Sequence, residues 1–380
     1  MKRLDHYISV GKKRLRCGYT TGTSAAAATV GAVTLLLQKT YLSGALIATP
    51  AGIDVYVEFE ELYMSGNAAV CAVRKDAGDD PDVTDGVLVY ARVERTDLGI
   101  CIEGGKGVGR VTRKGLDQPP GAAAINHVPR EMITTATQKV CEQAGYTHGL
   151  TIEISIPKGV ELAAKTFNPR LGIEGGISVL GTSGIVRPMS EDALIASIEL
   201  EMRVKYEAGA RDLLVAPGNM GRDFAQEKLG LSPERCVQCA NYLGATIDAA
   251  NQIGYRSLLV VGALGKLVKV AAGVMNTHSR VADARRETMV AHAALQGITP
   301  ELAQKLMDCV TTDAMLPLLA EAHILDETLA SITAAIQAQL ERRCGDTMVV
   351  GAVVFSQEYD VYKETPAAHE LLARLLAKEA

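Results

Sequence analysis

Residues 212–221 read Asp-Leu-Leu-Val-Ala-Pro-Gly-Asn-Met-Gly, and this stretch decides the fold class. Branched apolar residues end on Pro217-Gly218, and a polar, helix-compatible segment follows. An apolar run bounded by turn residues predicts a short buried strand, then a glycine loop, then a helix. The same order returns at residues 257–261, closed by Gly262-Ala-Leu-Gly-Lys266, and stands earlier at residues 176–180, closed by Gly181-Thr-Ser-Gly184. Strand, glycine loop and helix three times over predict a parallel sheet with helical crossovers. Ser190 is the expected cap of the helix after the first loop, with Glu191 and Asp192 in the turn where the helix dipole favours negative charge. Helical spacing dominates residues 281–343, and residues 347–355 read as the final strand.

Upstream the rhythm differs. Residues 53–59 alternate apolar and polar as a half-buried strand does. Residues 68–75, 86–94 and 150–156 read as further strands, and residues 129–144 carry helical spacing. Strands and helices without strict alternation predict an α+β domain. The expected fold class is therefore α/β with two domains. A mixed α+β N-terminal domain with Thr/Gly-rich and Asp-rich loops spans 1–180, and a parallel-sheet α/β domain with strand-end glycine loops spans 181–380. A chain of 380 residues is long for one core, which also favours two.

Composition excludes several classes. Hydrophobic residues make up 48%, which argues against disorder. Aromatics are 4% and Trp is absent, so a base-stacking surface is not expected. A formal charge of −5 gives no bulk field towards nucleic acid or an anionic membrane, so anionic ligands must be held by local Arg and Lys. The basic start has no apolar core of signal-peptide length, and the longest apolar run, residues 25–37, is too short to span a bilayer. A cytoplasmic location is expected. Cys236 and Cys239 form the only close cysteine pair and lack companion ligands, so no protein metal site is expected.

Five segments could carry chemistry. Arg16-Cys-Gly-Tyr-Thr-Thr-Gly-Thr-Ser24 leads hydroxyls and glycines into a small-residue helix, a setting for an anion or carbonyl oxygen. Asp76-Ala-Gly-Asp-Asp-Pro-Asp82, with Asp85 close behind, concentrates carboxylates for acid/base work, for a cation or for a solvated turn. Glu103-Gly-Gly-Lys-Gly-Val-Gly109 precedes no helical period and reads as a glycine hairpin presenting Lys106, Arg110, Arg113 and Lys114. The loop Gly181, Thr182, Ser183, Gly184, with Gly218, Asn219 and Gly221 beyond the next strand, is where an open α/β sheet would hold a nucleotide-like cofactor. In Thr277-His-Ser-Arg-Val-Ala-Asp-Ala-Arg285, Arg280 and Arg285 suit carboxylates, and His278 suits either a cap or proton transfer.

RLRCGYTTGTSAAAA, AGDDPDVTDG, GGKGVGRVTRKGL, AINHVPREM, FNPRLGIEGGISVLGTSGIVRPMS, APGNMGRD and GKLVKVAAGVMNTHSRVADAR together resemble the cobalt-precorrin-5B C1-methyltransferases, the CbiD family. The resemblance implies that family's two-domain arrangement and methyl transfer from S-adenosylmethionine to ring carbon C1, giving cobalt-precorrin-6A. Cobalt would arrive only as part of the substrate. The donor would lie at Gly181, Thr182, Ser183, Gly184, Gly218, Asn219 and Gly221. Thr20, Thr21, Thr23, Arg110, Arg170, Arg187, Arg222 and Arg280 would hold the macrocycle, the arginines by pairing with its carboxylates. Asp79, Asp80 and His278 are the candidates to accept a ring proton. Where the family often has Thr, Cys and two His, this chain has Cys17, Ser24, Asp85 and Ala263, so no role is rested on those positions. The implied partner is the small corrinoid substrate, without nucleic acid or membrane, and a homo-oligomer is left open. Two other classes stay open: a phosphotransferase using the Thr- and Gly-rich loops, though a GxxxxGK[ST] loop is missing, and a non-catalytic corrinoid carrier.

Overall fold

The alternation near residue 53 builds the strand Asp54–Ser65, in which Val55 and Val57 are buried while Asp54 and Tyr56 face outward. The computed structural model describes residues 4–377, so Met1, Lys2 and Arg3 of the basic start lie outside the described residues. It divides into two compact units, Met1–Glu191 and Asp192–Ala380. In the first unit the strands Gly44–Ala48 (β1), Asp54–Ser65 (β2), Ala68–Arg74 (β3), Leu88–Thr96 (β4), Ile100–Gly104 (β5) and Gly149–Ser155 (β6) form one sheet in the order β1-β2-β3-β4-β6-β5. Neighbours are antiparallel except β6 and β5, which run parallel. The helices Thr21–Gln38 (α1) and His127–Ala144 (α2) share one hydrophobic core with this sheet. The run Ala25 to Ala28 lets α1 lie close, and a Cβ on Gly31 would stand 2.6 Å from Cys71 Sγ. Burial on nearly every side explains the long apolar run. No described helix is long and apolar enough to cross a membrane.

The second unit holds the parallel sheet. Asp212–Ala216 (β7), Cys236–Gln238 (β8), Ser257–Ala263 (β9), Val349–Ser356 (β10) and Val361–Glu364 (β11) lie in the order β8-β7-β9-β10-β11. All pairs are parallel except β10 with β11. The residue expected to end the sheet, Phe355, is thus followed by one antiparallel edge strand. The unit's helices are Glu191–Glu207 (α3), Asn219–Glu227 (α4), Leu243–Ile253 (α5), Leu264–Ala271 (α6), Leu325–Cys344 (α7) and Ala368–Leu376 (α8), with three more between residues 285 and 321. Leu213, Val215, Leu258 and Val260 join α5, α6 and α7 in one core. Their sequence neighbours Leu214, Ala216, Leu259 and Val261 join α4 and α8 in another. Covering on both faces is why these strands read as continuous apolar runs.

One of the three expected strand–loop–helix units is not in this sheet. Only Gly176–Ile177 of residues 176–180 is strand, and it pairs in parallel with Gly107–Val108 of the first unit. A Cβ on Gly176 would stand 2.3 Å from Gly107 O, so its glycine serves a backbone crossing. The loop after it also belongs to the first unit. The hairpin expected at residues 103–109 gives way for the same reason: after β5, Gly107–Val108 takes that partner, and Arg110–Val111 pairs with Ile173–Glu174.

Candidate active site

The Thr-rich turn is a clasp. Thr20 caps α1, its Oγ1 accepting from Thr23 N at 3.2 Å. Thr23 Oγ1 donates to Gly184 O at 2.7 Å. Thr21 Oγ1 donates to Leu180 O at 3.1 Å and accepts from Leu180 N at 3.0 Å. Gly22 N and Thr20 N also donate to carbonyls of that loop. Thr20, Thr21 and Thr23 are buried, and their hydroxyls bond within the protein. The loop glycines pack closely as well. A Cβ on Gly181 would meet Thr20 Oγ1 at 2.3 Å, and one on Gly184 would meet Thr49 Cβ at 2.7 Å. Their close approach is to the chain's own threonines. Thr182 is exposed, and Ser183 Oγ bonds within its own turn to Ile185 O.

The Asp-rich loop is anchored carboxylate by carboxylate. Arg16 holds Asp76 through two bonds of 2.7 Å. Asp79 accepts from Arg16 N at 2.6 Å and Asp80 from Met189 N at 2.9 Å. The buried Lys75 Nζ lies 2.6 Å from Asp82, and Asp85 accepts from Ala77 N at 2.8 Å. Two cations and five backbone donors, Gly78 N to Asp76 and Thr84 N to Asp82 among them, offset the repulsion between these carboxylates. Asp79 and Asp80 each keep one oxygen without a hydrogen bond among the described residues. Arg110 is paired with Glu103 at 2.9 Å, and Arg170 lies over the Phe167 ring. Arg187 and Arg280 are exposed, while Arg222 bonds its neighbour Asp223 at 2.7 Å.

The second unit gathers polar groups at the carboxyl ends of its strands. The chain leaves β7 for β8 on one side and reaches β9 on the other, so the order reverses between β7 and β9. Open α/β sheets hold ligands at that reversal. Lys266, in α6 just after β9, donates to Pro217 O at 2.7 Å and to Asn241 Oδ1 at 3.3 Å. Asn241 also accepts from Thr277 Oγ1 at 3.3 Å, and its carbonyl accepts from Thr277 N. Lys269 Nζ, on the same helix, donates to Thr277 O at 3.0 Å. Gln238 donates to Asn219 Oδ1 at 2.6 Å. Among the predicted glycines, Gly218 faces open space: a Cβ there would meet only Lys266 Nζ, at 3.5 Å. Gly221 instead seats α4 on the sheet, a Cβ there falling 2.2 Å from Val261 O.

His278 is exposed at the edge of this cluster, and its Nδ1 accepts from Arg280 N at 3.0 Å. The neutral ring therefore carries its proton on Nε2. In that form Nε2 is the donor and Nδ1 is engaged by Arg280 N. Burial pushes the Cys236 and Cys239 thiols up to about 12, so both stay protonated at neutral pH. Sequence reasoning missed Asn241, Lys266, Lys269 and Thr277 as a group. The signal was available: Asn241 follows one sheet strand, Lys266 follows another, and Thr277 opens the motif already singled out for His278.

Fold and site define a two-unit α/β protein with a polar, lysine-bearing cluster at the strand reversal of its second unit. The family profile described as CbiD matches residues 8–188, and that described as CbiD, C-terminal domain, matches residues 276–366. The chain is 44% identical over 377 residues to a cobalt-precorrin-5B C(1)-methyltransferase of Ruminiclostridium cellulolyticum, covering 98% of each chain. It is 45% identical to one of Citrobacter koseri, covering 80% of this chain and 79% of the relative. It is 40% identical to one of Alkaliphilus metalliredigens, covering 97% of each. A crystal structure of the cobalamin biosynthesis protein (cbiD) from Archaeoglobus fulgidus aligns at 29% identity with a TM-score of 0.40, over 73% of this chain and 87% of that one. The chain belongs to the CbiD family.

Proposed function

We propose that this chain methylates C1 of cobalt-precorrin-5B, giving cobalt-precorrin-6A in cobalamin biosynthesis, with S-adenosylmethionine as donor. The observation that carries the reading is 44% identity, over 98% of both chains, to a relative that bears this activity in its name. The open space beside Gly218 supports a donor site, because an adenosyl group suits a strand reversal as other nucleotide-like ligands do. The phosphotransferase alternative loses its footing, since the Thr-rich turn spends its donors on its own loop.

The reaction asks mainly for alignment. A sulfonium is already an activated methyl donor, and the electron-rich macrocycle supplies the nucleophilic carbon. Gly218 leaves room for close approach, and Asn219, fixed by Gln238, offers a carboxamide at the rim. Arg187 and Arg280 carry no side-chain ion pair among the described residues and are ready for substrate carboxylates. Arg110 and Arg222 must exchange Glu103 and Asp223 for them. Asp79 and Asp80, each with one oxygen uncommitted, are the groups to receive a ring proton.

The test is anaerobic incubation of the purified chain with cobalt-precorrin-5B and methyl-labelled S-adenosylmethionine, followed by mass analysis. One labelled methyl per product is expected. Unchanged substrate with a folded chain sinks the reading. In a parallel melting assay, S-adenosylhomocysteine raises the transition and ATP with magnesium does not.

A further inference from the structure

Two cations in the second unit have no role in the reaction as outlined. Lys269 is 3% exposed, and Lys266 is half-buried one turn before it on α6. Their hydrogen-bond partners are neutral: Pro217 O and Asn241 Oδ1 for Lys266, Thr277 O for Lys269. Neither has a carboxylate within ion-pair distance among the described residues. The carboxylate that Lys269 feels, Asp283, is held by Arg285 through bonds of 2.6 and 2.7 Å. Lys269 and Arg285 thus share one committed carboxylate, and Lys266 has none. Carbonyl acceptors satisfy the ammonium protons but not the charge, and unpaired charge away from water is costly. Burial accordingly lowers both ammonium groups below the usual lysine range.

A purely structural lysine would close its surroundings. Here the space over Gly218 stays open and Lys266 Nζ stands at its edge, 3.5 Å from where a Cβ would be. This is also the point where the strand order reverses, the place for a ligand in such sheets. We infer that Lys266, backed by Lys269 and fixed by Asn241, is a carboxylate-binding subsite. The inference rests on the functional reading above for its two sources of carboxylate: the methionyl end of the donor, or an acetate or propionate of the macrocycle.

Isothermal titration of wild type and Lys266→Met with S-adenosylhomocysteine and 5′-methylthioadenosine separates the sources, together with the KM for the macrocycle under anaerobic conditions. The second nucleoside lacks the amino-acid end. If the donor supplies the carboxylate, the variant binds S-adenosylhomocysteine about tenfold or more weakly and 5′-methylthioadenosine as before. If the macrocycle supplies it, both nucleosides bind as before and KM rises by a similar factor. Either result supports the subsite. Affinities and KM all unchanged in a variant with a native melting curve overturn it. Lys266→Gln keeps a donor for Pro217 O without the charge, and gives the same comparison should Lys266→Met fail to fold. Wild type that binds neither nucleoside refutes the donor reading itself, while the KM arm still decides the subsite.

Discussion

At Gly181 the backbone holds φ +138° with Thr20 pressed against the missing side chain. Both facts require glycine, and neither involves a ligand. Gly181→Ala should therefore cost about 1–3 kcal/mol of stability, since strain at a special φ and overpacking both act there. The check is a denaturant melt beside a titration with S-adenosylhomocysteine. Affinity is expected to hold in the fraction that stays folded, and a stable variant that has lost the ligand would restore the loop as a cofactor site. A glycine in a sequence announces that something comes close and leaves unsaid what it is. Gly181 and Gly184 face threonines, Gly221 faces a strand carbonyl, and Gly218 faces open space beside an ammonium. Only the assembled fold distinguishes them. His278 teaches the same point: its type was legible, but the Arg280 N–H that fixes its tautomer was not.

At the scale of elements, the Asp-rich loop earned its place by closing β3 onto β4 rather than by chemistry alone. Lys75, 2% exposed, follows β3 with its ammonium against Asp82. Burial alone would raise the Asp82 carboxyl; Lys75 and the Thr84 donors outweigh burial and hold it below the ordinary range. A carboxyl depressed in the folded state contributes stability that is fully present above its unfolded value, about pH 3.9, and is lost as pH falls through the folded value. Asp82→Asn should remove that acid-side contribution and leave Lys75 charged and buried, at a cost of about 3–5 kcal/mol near neutral pH. Melting curves between acid and neutral pH check both parts, and a variant as stable as wild type at neutral pH would show that the pair is not what holds the loop. Strands that alternate or end on Pro-Gly were legible in advance, as β2, β7 and β9 show. Residues 176–180 were not, because a short apolar run reads alike whether it joins a sheet or crosses a second glycine strand.

At the scale of the molecule, each unit has cores of its own. The cluster around α1 and α2 draws only on residues before 192, and the two clusters flanking the parallel sheet draw only on residues after it. Such units are expected to fold independently. If the donor site lies at the reversal between β7 and β9, every residue assigned to it there belongs to the second unit. A fragment of residues 190–380 should then melt cooperatively on its own. S-adenosylhomocysteine at about one hundred times its Kd should stabilise it by about 2.7 kcal/mol, as it would any native state with one site. The complementary fragment, residues 1–189, should show no such shift, because its Thr-rich turn is already filled by its own loop. Calorimetric scans of both fragments with and without the ligand decide the matter. A shift confined to the first fragment would move the donor to the first unit and leave the lysine subsite to the macrocycle. A shift in neither fragment, with both folded and the intact chain responding, would overturn the assignment of the donor site to the strand reversal.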